Sequence, residues 1–220
     1  MYSKKFFAIC LFPAFIIFLI MMIYPLSQVL YLGLTNKQLT STAPGDFVGL
    51  EQYCRLFTDT RFITALGRTF YFAVLSVVFS VFFGFVVAYM MQIRPLKGIG
   101  FFRVIFLIPM FITPVVAGSV FRYMYDYDYG VINYVLSLLH MEKVQFLSSR
   151  LWALNSAIIV DIWQWIPFAT IVFAAGLESI PKETLEAASL DGANWWISLL
   201  KIKIPHLMPI IGIVVLIRFM

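Results

Sequence analysis

Charged side chains are confined to short segments of this chain, and long apolar runs separate them. Residues 6–36 carry no charge. Residues 69–93 form a second uncharged run between Arg68 and Arg94, and residues 104–121 a third between Arg103 and Arg122. Residues 151–177 are broken only by Asp161, and a fifth run begins at Leu207. A bilayer core takes about 20 apolar residues as a helix. Runs that are apolar on every side satisfy their backbone internally, as spanning helices. The pattern predicts spans over about 6–34, 69–93, 102–122, 151–177 and 206–220. The last is expected to be incomplete, because it gives about 21 Å of helix against a hydrocarbon core of about 30 Å. The expected fold class is an all-α membrane protein, a polytopic helical bundle in one domain. Pro13 and Pro25 predict kinks in the first span. Lys4 and Lys5 precede an apolar run too long for a signal peptide, and no small-x-small site ends it, so this helix is expected to be retained.

Composition strengthens this reading. Of 220 residues, 62% are apolar, 18% aromatic and only 12% charged. Soluble domains carry roughly 45–50% apolar and about 25% charged residues. A soluble fold of this size has too little interior to hide such a surface. A disordered chain, a disulfide scaffold and an ordinary cytosolic enzyme are excluded, and membrane lipid is the expected surrounding. The net charge of +5 is spread without a stripe, so no nucleic acid partner is expected. Cys10 and Cys54 belong to an apolar run and a polar loop, so no disulfide is expected. His140 and His206 have no second ligand at metal spacing, so neither a metal nor a cofactor is expected.

With the N-terminus inside, the inner segments hold Lys4, Lys5, Arg94, Lys97, Arg103, Lys182, Lys201 and Lys203. The outer ones hold Lys37, Arg55, Arg61, Arg68, Arg122, Lys143 and Arg150. The counts are nearly equal, but the basic density of the N-terminal stub and of residues 94–103 favours this orientation, since short loops weigh most. The outer connections are then residues 37–68 and 122–150. In the second, Tyr123, Tyr125, Tyr127 and Tyr129 alternate with Met124, Asp126 and Asp128, which suits the headgroup level. Residues 131–139 read as a surface helix packed on the bundle or, less simply, as a ligand-contacting helix.

The inner connection, residues 178–205, is the most specific. Pro181 suits a first helical position. Glu183 is favoured there by the helix dipole. Residues 184–190 continue the helix, and Gly192 suits a left-handed stop. Residues 193–203 predict a second short helix with Trp196, Leu199 and Leu200 on one face, and Pro205 a break before the fifth span. Leu185, Ala188, Ser189 and Gly192 share a face of the first helix, with Ala187 beside it. Most are small, so another surface can come close. Two readings stay open on this ground: a hairpin packed on its own bundle, and a docking helix for a separate partner.

Glu186-Ala187-Ala188, three residues, Gly192, nine residues, and Ile202-Lys203-Ile204-Pro205 together resemble the EAA motif of ABC-importer permeases, at every spacing. Ile204 stands where that family prefers Leu. Asp191 before Gly192 is similar to the sugar-type branch. Ile23-Tyr24-Pro25-Leu26, Phe47-Val48-Gly49-Leu50, Gly98 to Phe102 with Arg103, Tyr129-Gly130-Val131-Ile132-Asn133 and Asp161-Ile162-Trp163-Gln164-Trp165 look like the same branch, whose solutes are oligosaccharides and glycerol-3-phosphate-like molecules.

The resemblance implies a bundle like the type I ABC importer transmembrane domain, in a prokaryotic cell membrane. It implies four partners: an ATP-binding ABC subunit, a second permease forming a heterodimer, an extracytoplasmic solute-binding protein and a sugar-type solute. The chain has no Gly-x-x-x-x-Gly-Lys-Ser/Thr, so the expected ATPase is a separate subunit and this chain is not an enzyme. Within the motif, Glu186 would pair with the ATPase, and Ala187 and Ala188 would let it approach. Gly192 would turn the chain, and Ile202 and Pro205 would anchor the loop. The family continues beyond this last span, so the chain is expected to be C-terminally truncated.

Asp161 is the remaining candidate, with Gln164, Trp163 and Trp165 beside it. An ionisable group within a span faces the bundle or a water-filled path. Either Asp161 and Gln164 tie helices together, or Asp161, Gln164 and Trp165 line a translocation path for sugar. An ion-gradient carrier would show paired intramembrane charges or broken-helix repeats in two halves. Neither a repeat nor a second carboxylate is visible in the sequence. A non-transporting scaffold subunit is the other alternative.

Overall fold

The structure, a computed structural model, describes residues 4–38, 40, 45–93 and 99–220. Arg94, Lys97 and Gly98 lie outside the described residues, as do the side chains of Lys4, Lys5 and Cys10. The chain divides into two compact units, Met1–Arg68 and Thr69–Met220.

In the first unit, α1 (Lys4–Gly33) continues through both Pro13 and Pro25. A short antiparallel bridge between Thr35 and Phe47 follows, closed by the Val48 N–H donating to the Leu34 carbonyl at 2.9 Å. The Asp46 N–H donates to Asn36 Oδ1 at 2.7 Å. After α2 (Glu51–Thr58), helix α3 (Thr60–Ile93) begins well ahead of the predicted residue 69. The Asp59 carboxylate explains the early start: it accepts the Arg61 N–H at 2.8 Å and so satisfies one of the free donors of the first turn.

The second unit holds the rest of α3, then α4 (Ile99–Phe111), α5 (Pro114–Met124), α6 (Val131–Leu138) and α7 (Trp152–Glu178). Helices α8 (Lys182–Leu190) and α9 (Trp195–Ser198), a π turn (Leu199–Lys203) and α10 (Ile204–Phe219) complete it. Helix α7 is central, with α4, α5 and α10 packed on it. Its Ala169, Phe173 and Leu177 share a buried core with Ala88 and Tyr89 of α3 and Leu207 and Val214 of α10. Small residues bring these helices together, as is usual within membranes. A Cβ on Gly84 would come within 2.5 Å of Ala169, and one on Gly176 within 2.6 Å of both Leu207 and Ile210.

Two predicted spans are corrected. Residues 102–122 are not one rod: α4 and α5 meet at 94°. Pro114 opens α5 and lacks an N–H, and the residue before a proline is pushed out of helical conformation. Thr113 is accordingly extended, at φ −63° and ψ 143°. The last span is not broken at Pro205. It runs as one apolar stretch over Trp195–Phe219. Pro205 sits in the first turn of α10, where its missing N–H costs little, and the preceding π turn resets the hydrogen-bond register. Among the described residues four helices are long and apolar enough to cross a membrane, or five spans if the bent pair counts as one.

Helix α6 packs on α5. Asn133 fastens its base: it is buried, donates to the Asp126 and Val144 carbonyls at 3.1 and 3.0 Å, and accepts the Val144 N–H at 2.8 Å. The Asp126 carboxylate accepts the Tyr129 and Asp128 N–H groups, which hold its pKa below the ordinary value.

Candidate functional site

Two groups of residues stand out: the loop between α7 and α10, and a polar cluster at mid-height of α7.

In the loop, Pro181 sits at the N-cap of α8, one position before the first helical residue. Gly192 ends the helix at φ +80°, a conformation that costs other residues energy. The Ala193 N–H donates to the Ala188 carbonyl at 2.9 Å across this turn. The Asn194 side chain then accepts the Ile197 N–H at 2.9 Å and caps α9.

The faces of α8 differ from expectation. Leu185 and Ala188 are half-buried, with Leu185 packed on the core, while Ser189 and Gly192 are exposed. The small-residue strip therefore does not face outward as a unit, and Ala188 turns toward its own bundle. The outward face is Glu183, Glu186, Ala187 and Leu190, at i, i+3, i+4 and i+7. Leu190 is 88% exposed at the tip. Its signal in the sequence was a lone leucine on the polar side of a short helix.

Trp196, Leu199 and Leu200 do not share a buried face. Leu199 is buried, whereas Trp196 and Leu200 are exposed, because a π turn rotates successive side chains differently from an α-helix. Pro205 is exposed as well. Ile202 is half-buried. The polar anchor is Lys203: its Nζ donates to Gln92 Oε1 at 3.1 Å and lies 4.8 Å from the Tyr89 ring centre. Gln92 in turn donates to the Leu177 carbonyl at 3.3 Å, tying α3 to the end of α7. Trp195 packs on Tyr89 at 5.9 Å. Arg103 and Glu178 form an ion pair at 3.2 Å between α4 and α7.

At mid-height, Asp161 accepts the Ser76 hydroxyl at 2.6 Å and pairs with the Arg218 guanidinium. Arg218 also donates to Ser80 at 3.4 Å and lies over the Trp165 ring at 4.7 Å. Helices α3, α7 and α10 thus converge on one ion pair. Ser76 and Ser80 are fully buried. Their sequence signal was two serines four apart in an apolar run, which places them on one helical face. Gln164 donates to the Ile112 carbonyl at 2.5 Å, at the break between α4 and α5. A cavity of about 490 Å³ lies along the other side, lined by Phe121, Arg122 and Tyr125 of α5 and by Ala157, Asp161 and Gln164 of α7. Trp165 is not part of its wall. Successive residues turn by about 100° around a helix, and Trp165 faces Arg218 instead. Asp161 and Gln164 each tie helices together, and each borders this cavity.

The sequence profile described as "Binding-protein-dependent transport system inner membrane component" matches residues 71–220. The chain is 39% identical over 204 residues to a probable ABC transporter permease protein, y4oQ, of Sinorhizobium fredii, covering 91% of this chain and 65% of that one. It is 31% identical over 206 residues to the trehalose/maltose transport system permease protein MalF of Thermococcus litoralis, covering 94% of this chain and 69% of that one. It is 30% identical to the sulfoquinovosyl glycerol transport system permease protein SmoG of Agrobacterium fabrum, covering 94% and 67%. The chain thus spans about two thirds of the length of these relatives. A crystal structure of a bacterial ABC transporter for import of the acidic polysaccharide alginate has the same fold, at a TM-score of 0.81 and 24% identity, covering 98% of this chain and 72% of that one.

Proposed function

Since the chain belongs to the family of binding-protein-dependent transport system inner membrane components, we propose that it is the membrane-spanning permease subunit of an ABC importer for a sugar or related solute. A separate ATP-binding subunit docks on α8 and supplies the hydrolysis. A solute-binding protein delivers solute from outside, and a second, different permease completes the pathway. The membrane is a prokaryotic inner or plasma membrane, with the N-terminus and α8 on the cytoplasmic side.

The observation that carries this reading is the two-sided α8. Leu185 grips the bundle while Glu186, Ala187 and Leu190 point away from it. Gly192 and the Lys203 anchor join that helix to α10 without slack. A force applied to α8 reaches the spans through these contacts, and partner contacts that differ between two states move the bundle between them. The cavity between α5 and α7 suits the solute path. The Gln164 amide nitrogen is engaged by Ile112, which leaves its oxygen as an acceptor for a sugar hydroxyl, and Phe121 packs edge-on to Trp163 at 5.1 Å beside it.

The Asp161–Arg218 pair and the α4–α5 break are features an ion-coupled carrier could also have. Here the two charges are taken by each other, and the break occurs once among the described residues. The deciding experiment is reconstitution of the complete complex in vesicles with its binding protein loaded with the saccharide that co-purifies with it. Uptake that requires ATP and the binding protein and survives an ionophore is expected. Uptake that needs no ATP and collapses with the ion gradient would overturn the reading.

A further inference from the structure

The Asp161 carboxylate is held from one side only. Both bonds that it accepts, from the Ser76 hydroxyl and from the Arg218 guanidinium, end on Oδ2. Among the described residues no buried side-chain nitrogen or oxygen lacks a partner. Oδ1 takes no bond, so it lies at an open surface, and the open space beside Asp161 is the cavity between α5 and α7. Arg218 is enclosed by comparison: its side chain is 7% exposed against 23% for Asp161. It is absent from the cavity wall, and Ser80 and the Trp165 ring hold it in place.

We propose that Arg218 is a positioning residue for the transport path. With Ser76 it fixes Asp161 through Oδ2, so that Oδ1 stays on the cavity wall as a free acceptor, while Arg218 itself touches no solute. The cost of an unpaired charge within a bilayer makes this arrangement specific, since each charge is destabilising there without the other. The proposal rests on the cavity being the solute path, and its test needs no solute.

The test uses the complete complex in detergent, with Cys10 and Cys54 replaced by Ser and Asp161→Cys introduced. The new thiol stands on the wall with the Arg218 charge behind it. A charged wall raises the local concentration of the opposite ion by tenfold or more. The anionic methanethiosulfonate ethylsulfonate reagent is therefore expected to react about tenfold faster than its cationic trimethylammonium counterpart. Adding Arg218→Gln lowers the preference to the background set by Arg122 on the same wall, and Arg218→Lys keeps it. The double variant removes both buried charges, so folding favours it over Asp161→Cys alone.

A second background, Ala157→Cys, keeps the ion pair one turn along the same wall. There Arg122 sets the starting ratio of the two reagents, and Arg218→Gln shifts that ratio toward the cation, because Asp161 loses its partner. A merely structural Arg218 would alter both rates together and leave their ratio. A thiol at 161 that reacts with neither reagent, or a ratio that ignores Arg218, overturns the proposal. If instead these ratios behave as expected but ATP-driven uptake fails in the intact complex, the solute-path reading falls and the electrostatic arrangement stands.

Discussion

Gln164 of α7 donates to the Ile112 carbonyl at 2.5 Å, which closes the backbone at the point where the third span breaks. A broken helix inside a membrane is tolerated only when its freed backbone groups are satisfied. Gln164 is buried, so water does not replace it freely. Gln164→Leu leaves the carbonyl without a donor and is expected to cost about 1–3 kcal/mol. Gln164→Glu loses the donor as well, with a charge added. Thermal unfolding of the complex in detergent would show both variants below wild type. A Gln164→Leu variant as stable as wild type would mean that the break is supported elsewhere.

Gly192 reaches φ +80°, and a side chain there meets no neighbour. The obstacle to substitution is therefore conformational and not steric contact. A left-handed backbone costs an ordinary residue about 1–2 kcal/mol, and a β-branched one suffers most. Gly192→Val is expected to shift the turn between α8 and α9 while the spans stay folded. The expected readout is ATP hydrolysis without uptake. Gly192→Asn, which accepts this conformation more easily, is expected to keep more uptake than Val. Normal uptake by Gly192→Val would sink the assignment.

The positions of the long helices were legible because run length alone decides a span in lipid. What was not legible depended on contacts between distant residues. The break at Thr113 had a local signal in Pro109 and Pro114, but the apolar run around them reads the same for a straight helix. Asp161 was recognisable as costly, whereas its partner Arg218 lies 57 residues further on, at the end of a span expected to be cut short. The sequence leaves the face of α8 open for a related reason. Small residues mark a close approach, but their pattern does not say whether the approaching surface is a partner or the chain's own core. Leu185 turns one face of the helix to that core. Lys203 was passed over because it occupies a position of the EAA motif that any residue can fill.

Lys203 joins the loop to α3 through Gln92 and the Tyr89 ring. A hydrogen bond from a charged donor contributes about 1.5–3 kcal/mol, less where the site is partly open. Lys203→Met keeps the stem and removes the charge, and is expected to destabilise the complex by about 1–2 kcal/mol. Gln92→Leu removes the same bond from the other side. If the two act through this contact, their effects are less than additive in a double-mutant cycle. Full additivity in unfolding temperature would show that Lys203 and Gln92 stabilise the loop independently.

Glu186 and Leu190 are exposed, and Glu186 has no side-chain partner among the described residues. Neither contributes to the packing of this chain, so Glu186→Arg and Leu190→Asp are expected to change its stability by no more than about 0.5 kcal/mol. If α8 is the docking helix, the same changes act on the partner. Reversing one charge and placing another in an apolar contact are each expected to weaken retention of the ATPase by at least about tenfold, or about 1.4 kcal/mol. Leu185→Asp is the contrasting variant, because it strikes the inward face and is expected to unfold the loop. Co-purification of the ATPase with each variant, beside a melting curve of the permease, separates the cases. Loss of the ATPase with unchanged melting places the contact on the outward face. Retention by both Glu186→Arg and Leu190→Asp would mean that the ATPase engages another part of the chain, and α8 would then be only a strut of its own bundle.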